Sequence, residues 1–147
     1  ALRYMNVYGP RQDPTSPYSG VISIFADRAR RGQAVVIYGD GEQTRDFTFV
    51  ADIVAATVAA GLKGERGAVY NIGGGSRVTI NHVMDIIGRL TGRPVSIERA
   101  PAQKGDVRHT YADTSRARHA LGFAPSVSLE DGLSEQYRWR QTGLARG

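Results

Sequence analysis

An α/β fold is predicted by the way short apolar runs alternate with longer segments of helical period. The runs Val35-Val36-Ile37-Tyr38 and Ala68-Val69-Tyr70-Asn71-Ile72 are apolar along most of their length, and each closes on a glycine-bearing turn. Strands that look buried in this way, alternating with helices, argue the α/β class. Length sets the scale: 147 residues make about one domain, too short for a complete doubly wound nucleotide domain.

Composition narrows the classes. A hydrophobic share of 41% with 22% charged residues is ordinary for a soluble globular chain. No run approaches the roughly 18 apolar residues of a membrane span, and no leader-like segment precedes Leu2, so no membrane partner is predicted. Cysteine is absent, which leaves no disulfide or thiolate metal site and makes a cytoplasmic setting the default expectation. The net charge of +5 favours an anionic partner. Its arginines are dispersed as Arg28, Arg30 and Arg31, Arg89 and Arg93, Arg116 and Arg118, and Arg138 and Arg140, which reads as solvated helix faces. No zinc knuckle, helix-turn-helix or aromatic-basic RNA motif is visible, so no nucleic-acid partner is predicted either.

In chain order, Leu2 to Val7 reads as a short strand ending in the turn Tyr8-Gly9-Pro10. Open α/β sheets collect ligands beyond the carboxyl ends of their strands, where Asn6 would stand as donor and acceptor at once. The alternative is that Asn6 simply closes the turn. Since the chain opens on Ala1 and is already strand-like at Leu2-Arg3-Tyr4, it is expected to be part of a longer one. A strand separated from its sheet exposes an edge, so self-association is expected. Arg11 to Ser19, with Pro14 and Pro17, reads as a polar loop serving as a mobile flap.

From about Gly20 a helix places Val21, Ile24, Phe25 and Arg28 on one face, with Ile22, Ala26 and Ala29 beside it. These apolar residues are expected in the core except at the helix start. Gly32 suits the C′ position. After the strand Val35 to Tyr38 comes a tight turn on Gly39-Asp40-Gly41, then Arg45 beside Asp46, with Phe47 and Phe49 close by. An arginine fork beside a turn suits phosphate oxygens in two-point geometry. A surface ion pair between Arg45 and Asp46 fits the spacing as well. Asp52 reads as the N-cap of a helix through Ala60 that is apolar on nearly every face and therefore expected to be buried.

Gly73-Gly74-Gly75 follows the strand Ala68 to Ile72, but neither GxxxxGK[ST] nor GxGxxG leading into a helix is present. The glycines therefore predict a tight bend and close backbone approach rather than a phosphate loop. Thr79 caps a helix carrying Ile80, Val83, Met84, Ile87 and Leu90, ended by Gly92 and Pro94. His82 is assigned no chemistry. Val95 to Ile97 is a brief strand, and Ala100 to Arg108 a loop rich in hydrogen-bonding groups. Asp113 caps a helix through Leu121, closed by Gly122. Ser128 with Asp131 caps a last helix turning Leu129, Leu133 and Tyr137 inward.

The segments LRYMNVYGPRQ, YGDGEQTRDFTFVADIV, YNIGGG and KGDVRHTYADTSRARHALGF, in this order from Leu2 onward, closely resemble the NAD-dependent sugar-nucleotide epimerase/dehydratase family, the extended short-chain dehydrogenases. The UDP-sugar 4-epimerases are its nearest look-alikes. The resemblance runs from Leu2 to about Trp139. It implies the C-terminal substrate-binding portion of an extended short-chain dehydrogenase (Rossmann-type) fold, with the dinucleotide-binding half missing. Residues 1–10 would be the last part of the Rossmann sheet and 11–147 the substrate domain.

Carried over residue by residue, the resemblance puts Asn6 and Gln12 on the nucleotide-sugar and Met5 and Val7 beside the NAD cofactor. Met5 stands where phenylalanine is common, a less rigid wall for a ring. Gly20 and Val21 would meet the diphosphate and base at a helix N-terminus. Val36 and Tyr38 would cradle uracil and ribose, Arg45 would hold the diphosphate, Asp106 a ribose hydroxyl, and Thr110 would add a polar contact. Gln103 stands where a second diphosphate arginine is usual, with Lys104 following as a point cation.

The implied whole-enzyme activity is NAD-dependent inversion at C4 of a UDP-hexose through a 4-keto intermediate, in a homodimer. A 4,6-dehydratase, a decarboxylase or a non-catalytic nucleotide-binding module are the alternatives. The family's catalytic Tyr-xxx-Lys pair is not in this chain: Tyr4, Tyr8, Tyr18, Tyr38, Tyr70, Tyr111 and Tyr137 all lack a lysine four residues on. No catalytic or metal-binding residue is therefore expected here, and the chain alone is expected to be inactive.

Overall fold

The computed structural model describes residues 1–143. The elements, in order, are β1 (Leu2–Tyr4), β2 (Val7–Tyr8), α1 (Val21–Arg30), β3 (Val35–Tyr38), β4 (Thr44–Arg45), β5 (Thr48–Phe49), α2 (Val50–Lys63), β6 (Tyr70–Ile72), β7 (Val78–Thr79), α3 (Ile80–Thr91), β8 (Ile97–Ala100), α4 (Ser115–Leu121) and α5 (Leu129–Gly143). Strands pair in twos: β1 with β6, β2 with β5 and β3 with β8 run parallel, whereas β4 and β7 run antiparallel. The α/β class is as the sequence predicts. Because β1 pairs with Tyr70–Ile72, the opening residues and the later chain share one ladder.

Two apolar clusters hold these pairs together. One joins α1, β3 and α3 through Ile22, Phe25, Val35, Ile37, Val83 and Ile87, and reaches Tyr8, Phe47, Phe49 and Leu133. Tyr8 meets Phe47 and Phe49 edge-on, at centroid distances of 6.3 and 5.5 Å, a favoured aromatic arrangement. Burial, reinforced by the charges of Asp52 and Asp131, pushes the Tyr8 phenol well above its ordinary value and keeps it neutral. The other cluster packs Ile53 and Ala56 of α2 on Tyr70 and Ile72 of β6 and on Ala117 and Leu121 of α4.

Most helix ends follow local chemistry. The Thr79 hydroxyl accepts the His82 N–H at 3.1 Å, and Gly92 ends α3 in the left-handed conformation. Ser128 Oγ accepts the Asp131 N–H at 3.1 Å and donates to its carboxylate at 2.7 Å, the expected reciprocal cap. Gly32, at φ 69°, follows α1 as anticipated.

Other expectations give way to tertiary context. The strand expected over Leu2 to Val7 is broken at Met5 and Asn6, because Asn6 takes φ 34°. The β6 ladder begins only at Tyr70, and the strand sought at Val95 to Ile97 lies at Ile97–Ala100, in register with β3. Asp113 accepts the Ser115 N–H at 2.9 Å from one position outside Thr114, the N-cap of α4. On α5 it is Gln136 that is buried, while Tyr137 is half-buried.

Helix α2 departs furthest from expectation. It starts at Val50, and Asp52 lies inside its first turn rather than at its cap. The buried Asp52 carboxylate accepts the Ser126 N–H and hydroxyl, at 3.0 and 2.9 Å, and the Val127 N–H at 3.3 Å, tying the entry to α5 onto α2. Nor is the helix buried all round. Only the Asp52, Ile53 and Ala56 side is covered by β6 and α4, leaving Val54 and Val58 57% exposed and Leu62 80% exposed.

Candidate functional site

The candidate site grows from the pairing of α1 with β3. A short turn over residues 31–34 joins them, so the helix and the strand run in opposite directions. Alternation along β3 turns Val35 and Ile37 into the core and leaves Val36 half-buried and Tyr38 exposed on the other face. On α1 the stripe Val21, Ile24, Phe25 and Arg28, spaced i, i+3, i+4, i+7, looks onto that face. Between them lies a cavity of about 470 Å³, closed further by Ser19, Gln43, Arg45, Ile80, Gln103 and Asp106. That volume falls within the range of small-molecule sites, about 300–1,000 Å³.

Arg45 supplies positive charge to this space, with its side chain 15% exposed. Its Nη1 donates to the carbonyl of Thr44 at 2.9 Å and, more weakly, to that of Arg108 at 3.5 Å. Its Nη2 meets Asp106 Oδ1 at 2.5 Å. The ion pair with Asp46 that the spacing allowed is not formed; Arg45 pairs with Asp106, 61 positions away. A guanidinium has five N–H donors, and the Nε–H and one Nη2–H of Arg45 take no partner among the described residues. The N-terminus of α1, capped by Gly20 without a side-chain acceptor, adds free N–H groups near the same cavity.

The loop that roofs the site is held at several points. The Arg108 guanidinium pairs with Asp40 at 2.8 Å, and Arg99 donates to Gly39 O at 3.3 Å and Asn81 Oδ1 at 3.2 Å. Thr44 N donates to Arg108 O at 2.9 Å, and Thr110 N to Thr44 O at 3.1 Å, laying the loop along β4. Hydrogen bonds from Arg108 and from the Glu42 N–H hold the Asp40 carboxyl below its usual value. Gly41 takes φ 80° and leaves no room for a Cβ beside Asn81, so glycine is required at that turn.

Beneath the site, Asp46 is fully buried at 0% exposure. Its Oδ1 accepts the Gly75 N–H at 3.0 Å, its Oδ2 accepts the Ala112 N–H at 3.2 Å, and its carbonyl accepts from the Asn6 amide at 3.1 Å. Gly73 and Gly74 press so closely on the Asp46 carboxylate and the Phe47 carbonyl that a Cβ at either would collide. The triple glycine is thus a close-approach device, as its sequence context suggests.

Of the residues singled out by sequence, Val21, Val36, Tyr38, Arg45, Gln103 and Asp106 line the cavity. The others do not. Gly20 caps α1 next to it, and Gln12 turns its amide onto Val7 O at 3.2 Å, leaving Oε1 buried without a partner among the described residues. Arg140 of α5 donates to Gln12 O at 2.8 Å and pins that loop. Asn6, Met5 and Val7 lie beyond β1, beside Asp46 and β5, and Thr110 has a buried, unpartnered hydroxyl near Arg45. Sequence reasoning missed Ser19, Ile24, Phe25, Arg28, Gln43 and Ile80. The helical stripe on α1 was the available signal, but it reads equally as a core face. Among the described residues no His, Asp and Glu group is arranged to hold a metal ion.

The NAD dependent epimerase/dehydratase family model matches residues 1–73. A UDP-glucose 4-epimerase of Mycolicibacterium smegmatis is 39% identical over 130 residues, covering 88% of this chain and 41% of that protein. A UDP-N-acetyl-alpha-D-glucosaminuronate decarboxylase of Bacillus cytotoxicus is 37% identical over 144 residues, covering 94% and 44%. The crystal structure of UDP-glucose 4-epimerase from Thermotoga maritima with UDP-glucose superposes with a TM-score of 0.88 at 43% identity, covering 97% of this chain and 46% of that one. The chain therefore spans less than half the length of the relatives it matches.

Proposed function

This chain belongs to the NAD-dependent epimerase/dehydratase family, and from that premise we propose that it is the nucleotide-sugar-binding portion of a UDP-sugar 4-epimerase. The observation that carries the reading is Arg45: a guanidinium in a cavity of ligand size, with two donors unused, in the same cavity as the first turn of α1. That pair of features suits a diphosphate, which takes two-point contact from arginine and further hydrogen bonds from a helix N-terminus. The Asp106 carboxylate accepts a ribose hydroxyl, and Val36 and Tyr38 form the apolar floor under the base. Asn6, Gln12 and Thr110, outside the lining of this space, serve the sugar end.

In the intact enzyme, NAD supplies hydride transfer at C4 of the hexose. This chain has neither the glycine-rich turn nor the Tyr-xxx-Lys pair that such chemistry uses in the family, so its residues bind and orient. Met5, just after β1, and Val7, which opens β2, would border the cofactor. Holding the nucleotide at a distance from the reacting carbon positions that carbon without consuming binding energy at it. Similarity to a decarboxylase keeps a second reading, in which the same nucleotide site serves removal of a sugar carboxylate.

The test is calorimetric titration of the purified chain with UDP and UDP-glucose, alongside Arg45→Ala. Loss of charge-assisted hydrogen bonds, each about 1.5–3 kcal/mol, should weaken UDP binding by about tenfold or more. Equal affinity in the variant, with both proteins folded, would refute the assignment.

A further inference from the structure

The end of the cavity away from Arg45 is closed by an arginine that the phosphate does not need. Arg28 ends the stripe that begins at Val21, seven residues on, or about 10.5 Å along the helix axis at 1.5 Å per residue. Because α1 and β3 are antiparallel, Arg28 stands at the start of the strand, where its Nη1 donates to Ala34 O at 3.3 Å. Arg45 lies past the other end of β3, beyond Tyr38 and the glycine turn. The cavity thus has a cation at each end, with Ile24, Phe25, Val36 and Ile37 between them.

The two neighbours of Arg28 at the end of α1 are neutralised, since Arg30 and Arg31 both pair with Asp27, at 3.1 and 2.9 Å. Arg28 forms no ion pair among the described residues, and one hydrogen bond to a carbonyl leaves most of its donors free. A guanidinium donates only and never accepts. Set at one end of a cavity whose middle is apolar, it favours a ring edge bearing carbonyl oxygens and rejects one bearing an amino group.

If the phosphate is anchored at Arg45, the base points toward Arg28. The pyrimidine position farthest from the ribose carries a carbonyl oxygen in uracil and thymine but an amino group in cytosine. We propose that Arg28 selects the nucleobase, donating to the 4-carbonyl of a pyrimidine-2,4-dione and leaving the amino edge of cytosine unpaired. The proposal rests on the nucleotide-binding reading of the cavity and adds a specificity-determining residue to it.

The experiment is calorimetric titration of the wild-type chain, Arg28→Ala, Arg28→Gln and Arg45→Ala with UDP and with CDP, each protein first shown to unfold cooperatively in urea. The wild type should prefer UDP over CDP by about tenfold, the discrimination that a single arginine reading a base edge supplies. Arg28→Ala should abolish the preference by weakening UDP alone, and Arg28→Gln, with its remaining amide donor, should keep part of it. Arg45→Ala should weaken both ligands equally and leave the ratio intact. A UDP to CDP ratio near one in the wild type, or the same ratio in Arg28→Ala as in the wild type, overturns the proposal while the nucleotide site stands. Failure of the folded wild type to bind either nucleotide overturns both.

Discussion

Replacing Asp46 by alanine should cost this fold more than removing any of its exposed ion pairs. Asp46 is completely buried, and its carboxylate takes the N–H groups of Gly75 and Ala112 at 3.0 and 3.2 Å. The alanine variant leaves both donors in the interior, packed against Gly73 and Gly74, which approach too closely to admit even a methyl group. Hydrogen bonds to a charged acceptor contribute about 1.5–3 kcal/mol each, so the pair amounts to about 3–6 kcal/mol. A domain of this kind has only about 5–15 kcal/mol in hand. Urea unfolding followed by the fluorescence of Trp139 reads the loss directly. With a slope of about 1–3 kcal/mol per molar urea, the midpoint should fall by at least about 1 M. Asp46→Asn, which retains an acceptor for one of the two N–H groups, should recover part of the difference. A midpoint within about 0.3 M of wild type for the alanine variant would refute the hydrogen-bond reasoning.

Further outcomes follow from the same geometry, beside the Arg45 and Arg28 titrations. Because Arg108 holds the Asp40 carboxyl below its ordinary value, the contribution of that contact is present above the ordinary carboxylate range and is lost as pH falls through the lowered value. Wild type and Asp40→Asn should therefore differ in urea midpoint at neutral pH and converge in strong acid; a pH-independent difference would contradict this. The exposed stripe of Val54, Val58 and Leu62 lies on α2, where Thr57 is bonded to Tyr4 of β1 at 2.9 Å, so apolar surface adjoins a strand with one unpaired edge. Sedimentation velocity should show concentration-dependent association that Val58→Glu reduces, whereas a strictly monomeric wild type at high concentration would contradict it.

How much of this molecule can be read from its sequence depends on the range of the interactions involved. The caps at Thr79, Gly92, Ser128 and Gly122 are legible because each is a contact within a few residues, where residue type nearly dictates geometry. The Gly39-Asp40-Gly41 turn and Arg45 are legible for the same reason, since a turn and an adjacent fork form a local motif. Asp52 shows the limit. Its local context reads as a helix cap, but its partners Ser126 and Val127 are 74 and 75 positions away.

The sequence by itself determined the class of fold, the position of most helices and the identity of the arginine around which a phosphate site can form. Tertiary structure alone decided which face of each helix is covered. The stripe Val21, Ile24, Phe25 and Arg28 walls a cavity while Phe25 also packs in the core, and the Val54, Val58 and Leu62 side of α2 stays open although it is as apolar as the buried side. It also decided that Arg45 pairs with Asp106 and that Asp46 turns inward to bind two backbone segments. Hydrophobic periodicity records which residues gain by leaving water, because that preference belongs to the residue. What stands opposite them is set by the order in which distant segments pack, and no local pattern encodes it.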